Sequence, residues 1–184
     1  MKRLFYLVDS IDSVEAISKD LHEEGVKDWR FHVEGKNESG IYTRRLHTAT
    51  FFEKKDFVRY VERGLMIGTL IGLVLVTFGL ITGYPPLPLA AWVALFVFAV
   101  LAGGWIAGFG GVHAENYKIR PFHSAIENGE FLVMVDVPKE HLATMRRLMQ
   151  KNHPEARLRA IDSNHTNPFS RRLRLISESG TPAD

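Results

Sequence analysis

The sequence predicts an α+β protein: a ferredoxin-like cytoplasmic domain, split as βαβ/βαβ, with a two-helix transmembrane hairpin inserted between its halves. Three observations carry this expectation. Residues 64–112 run for 49 positions without Asp, Glu, Lys, Arg or His. The stretch Tyr84-Pro85-Pro86-Leu87-Pro88 divides that run into apolar segments at about 64–83 and 89–110. Each is close to the roughly 20 residues that a helix needs to cross a bilayer core of about 30 Å. A strand–helix–strand pattern occurs once before the run and once after it. The mean hydropathy of −0.06 therefore averages two unlike materials.

The first half occupies residues 1–50, with a linker. Arg3 to Val8 is aliphatic and aromatic almost throughout, as a buried central strand requires. Although Lys2 and Arg3 precede an apolar run, the run stops at Asp9, too short for a secretory signal. Asp12-Ser13-Val14-Glu15 has the spacing of a capping box. Val14, Ile17 and Leu21 continue at helical spacing, and Gly25 supplies a stop. Trp29, Phe31 and Val33 alternate with Arg30, His32 and Glu34, the period of a half-buried strand.

Residues 51–112 make up the juxtamembrane helix and hairpin. Thr50-Phe51-Phe52-Glu53 again has capping-box spacing, and no Pro or Gly follows until Gly64, so one helix is expected from Phe51 into the bilayer. Lys55, Arg59 and Arg63, four apart, would share a face of it. Such a stripe suits contact with anionic lipid headgroups, or simply a solvated face beside Asp56 and Glu62. Gly64, Gly68 and Gly72 form a smooth groove on the first span. Ala99, Gly103, Ala107 and Gly111 form another on the second, beside the pair Gly104 and Gly108. Small residues at this spacing let helices approach closely in lipid. They either close the hairpin or face another subunit, and a homo-oligomer is expected.

The second half occupies residues 113–162, beginning with a linker. Phe131 to Val137 reads as a strand, Pro138 suits a first helical turn, and Leu142, Met145, Leu148 and Met149 mark a buried face. His153-Pro154 ends that helix, and Arg157 to Ile161 reads as a last strand. Whether the two βαβ halves pair within one chain or between chains is left open by the pattern. Residues 163–184 have the composition of a flexible tail, with at most a short ordered piece around Leu173 to Ile176 and a basic knot at Arg171, Arg172 and Arg174.

Charge sets the orientation. Arg44, Arg45, Lys54, Lys55, Arg59 and Arg63 precede the first span, Lys118 and Arg120 follow the second, and the connecting loop is uncharged. The positive-inside rule then places both termini in the cytoplasm, and Trp92 and Trp105 where interfacial aromatic belts are expected. A net charge of +2 with no concentrated basic face argues against nucleic-acid binding. The absence of cysteine excludes disulfides, Cys-based metal sites and a thiol nucleophile.

Catalytic and cofactor chemistry has no positive signal. The glycines after Gly103 end an apolar helix and lack the dinucleotide-binding spacing. His113, Glu115, His123 and Glu127 form no compact ligand motif, so neither a metal nor a cofactor is expected. The polar side chains within the spans are Thr69, Thr77 and Thr82, which offer little to an ion path.

Three stretches carry a resemblance: Arg3-Leu4-Phe5-Tyr6-Leu7-Val8-Asp9, Asp28-Trp29-Arg30-Phe31-His32-Val33, and Glu62-Arg63-Gly64 leading into the glycine repeat. Over residues 1–160 the chain resembles a family of small uncharacterised bacterial inner-membrane proteins, some labelled as magnesium transporters or stress-related membrane proteins. The resemblance implies a multi-pass protein of the bacterial inner membrane. The repeated βαβ pattern, the uncharged hairpin and the missing catalytic constellation lead to the expectation of a non-enzymatic, self-associating module with a structural or regulatory envelope or stress role, with membrane lipid as a partner and its protein partner unknown. The alternative is an oligomeric divalent-cation (magnesium) channel or transporter.

Overall fold

The computed structural model describes residues 1–163 together with 169, 173, 175 and 176. The chain is α+β. Its elements are β1 (Lys2–Val8), α1 (Ile11–Glu23), β2 (Phe31–Glu34), α2 (Glu38–Thr43), α3 (Phe51–Lys54), α4 (Phe57–Thr82), α5 (Leu89–His113), α6 (His123–Glu127), β3 (Phe131–Val137), α7 (Leu142–Asn152) and β4 (Arg157–Ser163). They form two compact units. One combines residues 1–50 with 117–163 and with 173, 175 and 176; the other contains residues 51–116 together with 169.

The first unit is built on a four-stranded sheet in the order β2-β3-β1-β4, with every neighbouring pair antiparallel. Its two central strands are the uninterrupted apolar runs. Phe5 lies between Met134 of β3 and Ala160 of β4, with an irregularity in the β4 ladder at Phe5/Tyr6. On one face Leu4, Tyr6, Val8, Val33, Val133 and Val135 pack with Val14, Ile17 and Leu21 of α1 and with Met145 and Met149 of α7. Burying each large side chain of this kind is worth about 1.5–3 kcal/mol.

The opposite face is covered as well. Phe5, Leu7, Leu132, Met134 and Ala160 pack under Ile119, Phe122 and Ile126, and the rings of Phe5 and Phe122 stack at 5.9 Å. Residues expected to be a linker thus supply a second layer. His32, on the polar side of the expected alternation, is buried as well, with its ring 5.6 Å from that of His47. Leu173 is buried on the same face, Leu175 bridges Ala160, and Ile176 donates its N–H to the Arg159 carbonyl at 2.7 Å. These three residues are the described part of the stretch around Leu173 to Ile176. Apart from Phe169, the remaining expected tail, including Arg171, Arg172 and Arg174, lies outside the described residues.

Two local expectations are corrected. α1 starts two residues earlier than the Asp12 box implied, because Ser10, in extended conformation, caps it: Ser10 Oγ accepts from the Ser13 N–H at 3.1 Å. Asp12 and Glu15 instead hold Arg44 at 2.6 and 2.5 Å. β2 begins at Phe31, not Trp29. Asp28–Arg30 forms a 3₁₀ turn, which leaves Trp29 53% exposed with the Arg30 guanidinium stacked 4.5 Å above its ring.

Charge is also buried in this unit. The Lys118 ammonium donates to the Ser163 carbonyl at 2.5 Å and lies 3.2 Å from Asp162. Burial pushes its pKa below the ordinary lysine value, with Asp162 pulling the other way.

Candidate functional site

The second unit is the feature with the plainest physical purpose. α4 has 26 residues and α5 has 25, and both are long and apolar enough to cross a membrane. At 1.5 Å per residue they measure about 39 and 38 Å, more than a bilayer core. Gly83, at φ +66, ends α4 in the left-handed conformation that favours glycine, and Pro88 precedes the first turn of α5.

The expected packing glycines meet within the pair. A Cβ on Gly64 would collide with the Gly103 backbone and with Ala107. One on Gly68 would run into Ala99 and stand 3.0 Å from the Val100 Cα, and one on Gly72 would meet Phe96 and Ala99. From the other helix, a Cβ on Gly103 would lie 2.9 Å from the Gly68 Cα. The opposed numbering makes the helices antiparallel. Gly104 sits under Leu65, Gly108 under Phe57 and Val61, and Gly111 against Phe57 and Tyr60. All the expected small residues are thereby used in closing the hairpin. Trp92, expected at an interface, is buried at 5% exposure with its ring against Gly79.

The expected basic stripe is divided. Instead of one helix from Phe51, α3 stops at Lys54 and α4 begins at Phe57. The interruption is non-local. Asp56 N–H donates to the Ala114 carbonyl at 3.0 Å, Asn116 N–H donates to the Lys54 carbonyl at 2.9 Å, and Lys55 pairs with Glu115 as an antiparallel bridge. This backbone clasp takes Lys55 off the helix that carries Arg59 and Arg63. Arg59 is only 6% exposed, and its guanidinium donates to Asp56 at 2.7 Å. Of the three cations, Arg59 faces inward, whereas Lys55 and Arg63 are half-exposed. The Asp56–Arg59 pair was signalled only by its i, i+3 spacing.

Aromatic side chains gather at the clasp end. The rings of Phe51, Phe52 and Phe57 lie 5.6 to 6.4 Å apart, and Trp105 meets Phe109 edge-on at 5.2 Å. Between the helices runs an apolar groove of about 840 Å³, walled by Phe57, Val61 and Leu65 of α4 and by Leu101, Trp105 and Phe109 of α5. No sequence motif announces it, since it arises from large side chains flanking Gly104 and Gly108. Among the described residues, no three His, Asp or Glu side chains converge as metal ligands. No protein-family model, curated protein or solved structure matches the chain.

Proposed function

We propose that this chain is an integral membrane protein whose α4 and α5 cross a bilayer and hold a ferredoxin-like module at the cytoplasmic surface, in a structural or regulatory rather than catalytic role. The observation that carries the reading is the outer surface of the helix pair. Leu70, Phe78, Ile81, Phe98 and Ile106 are 64–80% exposed, on helices without a charged side chain between Gly64 and Val112. An apolar surface of that extent is untenable in water and ordinary in lipid.

Both termini are then cytoplasmic, because the basic residues flank the clasp end and the 83–88 turn is uncharged. The ferredoxin-like reading draws on the strand order: each helix connection, through α1 and through α7, links two strands with one strand between them. A cation channel has little support. The Thr69 and Thr82 hydroxyls donate to the carbonyls of Leu65 and Phe78 in their own helix, which leaves them poorly placed to line an ion path. The reading does not need self-association, since the glycine faces are already occupied within the hairpin.

The test uses the absence of native cysteine. In intact cells, a single cysteine replacing Leu87 should react with a membrane-impermeant maleimide, and one replacing Lys19 should react only after permeabilisation. Release of the protein from membranes by alkaline carbonate would defeat the proposal.

A further inference from the structure

The break between α3 and α4 has no local cause. Residues 51–56 hold neither Pro nor Gly, and each of them is tolerated within a helix. A helix running on from Phe51 to Thr82 would close backbone bonds from the N–H groups of Asp56, Phe57, Val58 and Arg59 to the carbonyls of Phe52, Glu53, Lys54 and Lys55. In their place stand the bonds of the clasp, from Asp56 N–H to Ala114 and from Asn116 N–H to Lys54.

The broken form also carries local costs. Asp56 sits at the N-cap position of α4, yet its side chain makes no capping bond. The carboxylate is drawn to Arg59 instead, and its Oδ1 is buried with no hydrogen-bond partner among the described residues. The first helical bond of α4 runs from Tyr60 N–H to the Asp56 carbonyl at 3.0 Å, which leaves the N–H groups of Phe57 and Val58 outside the helical ladder. What offsets these costs is tertiary: the clasp itself, and the packing of Phe51 and Phe52 on Phe57, with ring centroids 6.4 and 5.9 Å apart. That packing belongs to the broken form alone. In a continuous helix Phe52 and Phe57 would stand about 140° apart around the axis and about 7.5 Å apart along it, and Phe51 would lie one residue further off.

We propose that residues 51–57 and 114–116 form a two-state latch. In the latched state, the one described above, the clasp is closed and the three rings are together. In the released state residues 114–116 leave, the rings separate, and α3 and α4 fuse into one helix from Phe51 to Thr82. A segment whose local preference and tertiary contacts disagree has two packings of similar free energy, which is what a switch requires. Release extends the first helix of the hairpin by six residues, about 9 Å. The chain enters the hairpin unit at residue 51 and leaves it at 116, so a single event at the latch alters both connections to the sheet unit. With α4 and α5 in a bilayer, the latch gives the hairpin a means of passing its state to the cytoplasmic module. That regulatory role rests on the membrane reading above, whereas the latch itself does not.

The test is amide hydrogen exchange, resolved to single residues, on the full chain in nanodiscs. Asn116→Pro removes the donor to Lys54, and the Phe57 and Val58 amides should then exchange at least tenfold more slowly, because they join a helix. Phe51→Ala/Phe52→Ala removes the ring packing and should give the same slowing with the clasp donors intact. A disulfide supplies the lock. Lys55 and Glu115 are opposed across an antiparallel bridge, a spacing that a disulfide can span. In the Phe51→Ala/Phe52→Ala background, oxidised Lys55→Cys/Glu115→Cys should return both amides to the parental rate, and reduction should restore the slowing. Two results would overturn the latch: Phe57 and Val58 exchanging as fast as in the parent, or faster, in both opening variants, which is fraying without a second state, or slowing that persists under the closed disulfide. Extraction of the protein by alkaline carbonate would defeat the membrane reading and leave the exchange result standing.

Discussion

Arg3 and Asp136 meet side by side across β1 and β3, with both guanidinium–carboxylate contacts at 2.7 Å and both side chains buried. Such a pair adds little stability by its presence, yet breaking one partner leaves an uncompensated charge in a dry place. Asp136→Asn is therefore expected to destabilise the protein by about 3–5 kcal/mol, read as thermal unfolding followed by circular dichroism in mild detergent. The double variant Arg3→Leu/Asp136→Leu should recover most of the loss. Equal damage from the single and double variants would contradict this account.

Alkali should weaken the sheet unit through Tyr6. Burial raises its pKa from 10.0 to about 12, with Arg146 acting weakly in the opposite sense. Between those values the unfolded chain has given up a proton that the folded chain keeps, so rising pH favours unfolding. Stability from this group is intact below pH 10, and up to roughly 3 kcal/mol is lost by pH 12. Tyr6→Phe should flatten that part of the profile. Lys118→Met should leave it in place, since burial lowers rather than raises that group's pKa.

The hairpin should open when its glycine contacts are filled. Gly68→Leu drives a side chain into Ala99 and Val100, and overpacking of this kind costs about 1–3 kcal/mol or more. Spin labels at Ile71 and Val97 should then report a longer, broader distance distribution by pulsed electron resonance. Gly110→Leu is the control, because its new Cβ meets only the Tyr60 ring, at 3.4 Å. An unchanged distribution in Gly68→Leu would refute the packing.

The tryptophans of the hairpin should respond oppositely to lipid. In a Trp29→Phe background, brominated acyl chains should quench Trp105, which is 70% exposed, and spare Trp92, which is 5% exposed. Gly79→Leu takes the space of the Trp92 ring and should make Trp92 quenchable. Strong quenching of Trp92 in the parent protein would place its ring outside the hairpin.

Much of this architecture is legible in the residues because it depends on local periodicity. Val14, Ile17 and Leu21 face the core as helical spacing requires, and the Pro-rich turn separates α4 from α5. Features that depend on distant partners are hidden. Nothing within Phe51-Phe52-Glu53-Lys54-Lys55-Asp56 forbids a continuous helix; hydrogen bonds to residues 114–116 interrupt it. Ile119, Phe122 and Ile126 straddle Pro121 and read as linker, although they cover a whole sheet face. The glycine repeats announced close packing, yet only the opposed alignment of Gly64 with Gly103 shows that they serve each other.

The clasp at residues 54–56 and 114–116 also bears on how the chain could be cut and rejoined. Backbone pairing brings the start and finish of the apolar excursion to the spacing of neighbouring strands, about 4.8 Å. Joining Thr50 to Tyr117 through a few Gly and Ser residues should thus yield a water-soluble protein with the parent sheet. The apolar pair, conversely, is a cassette that another domain could accept at a surface turn.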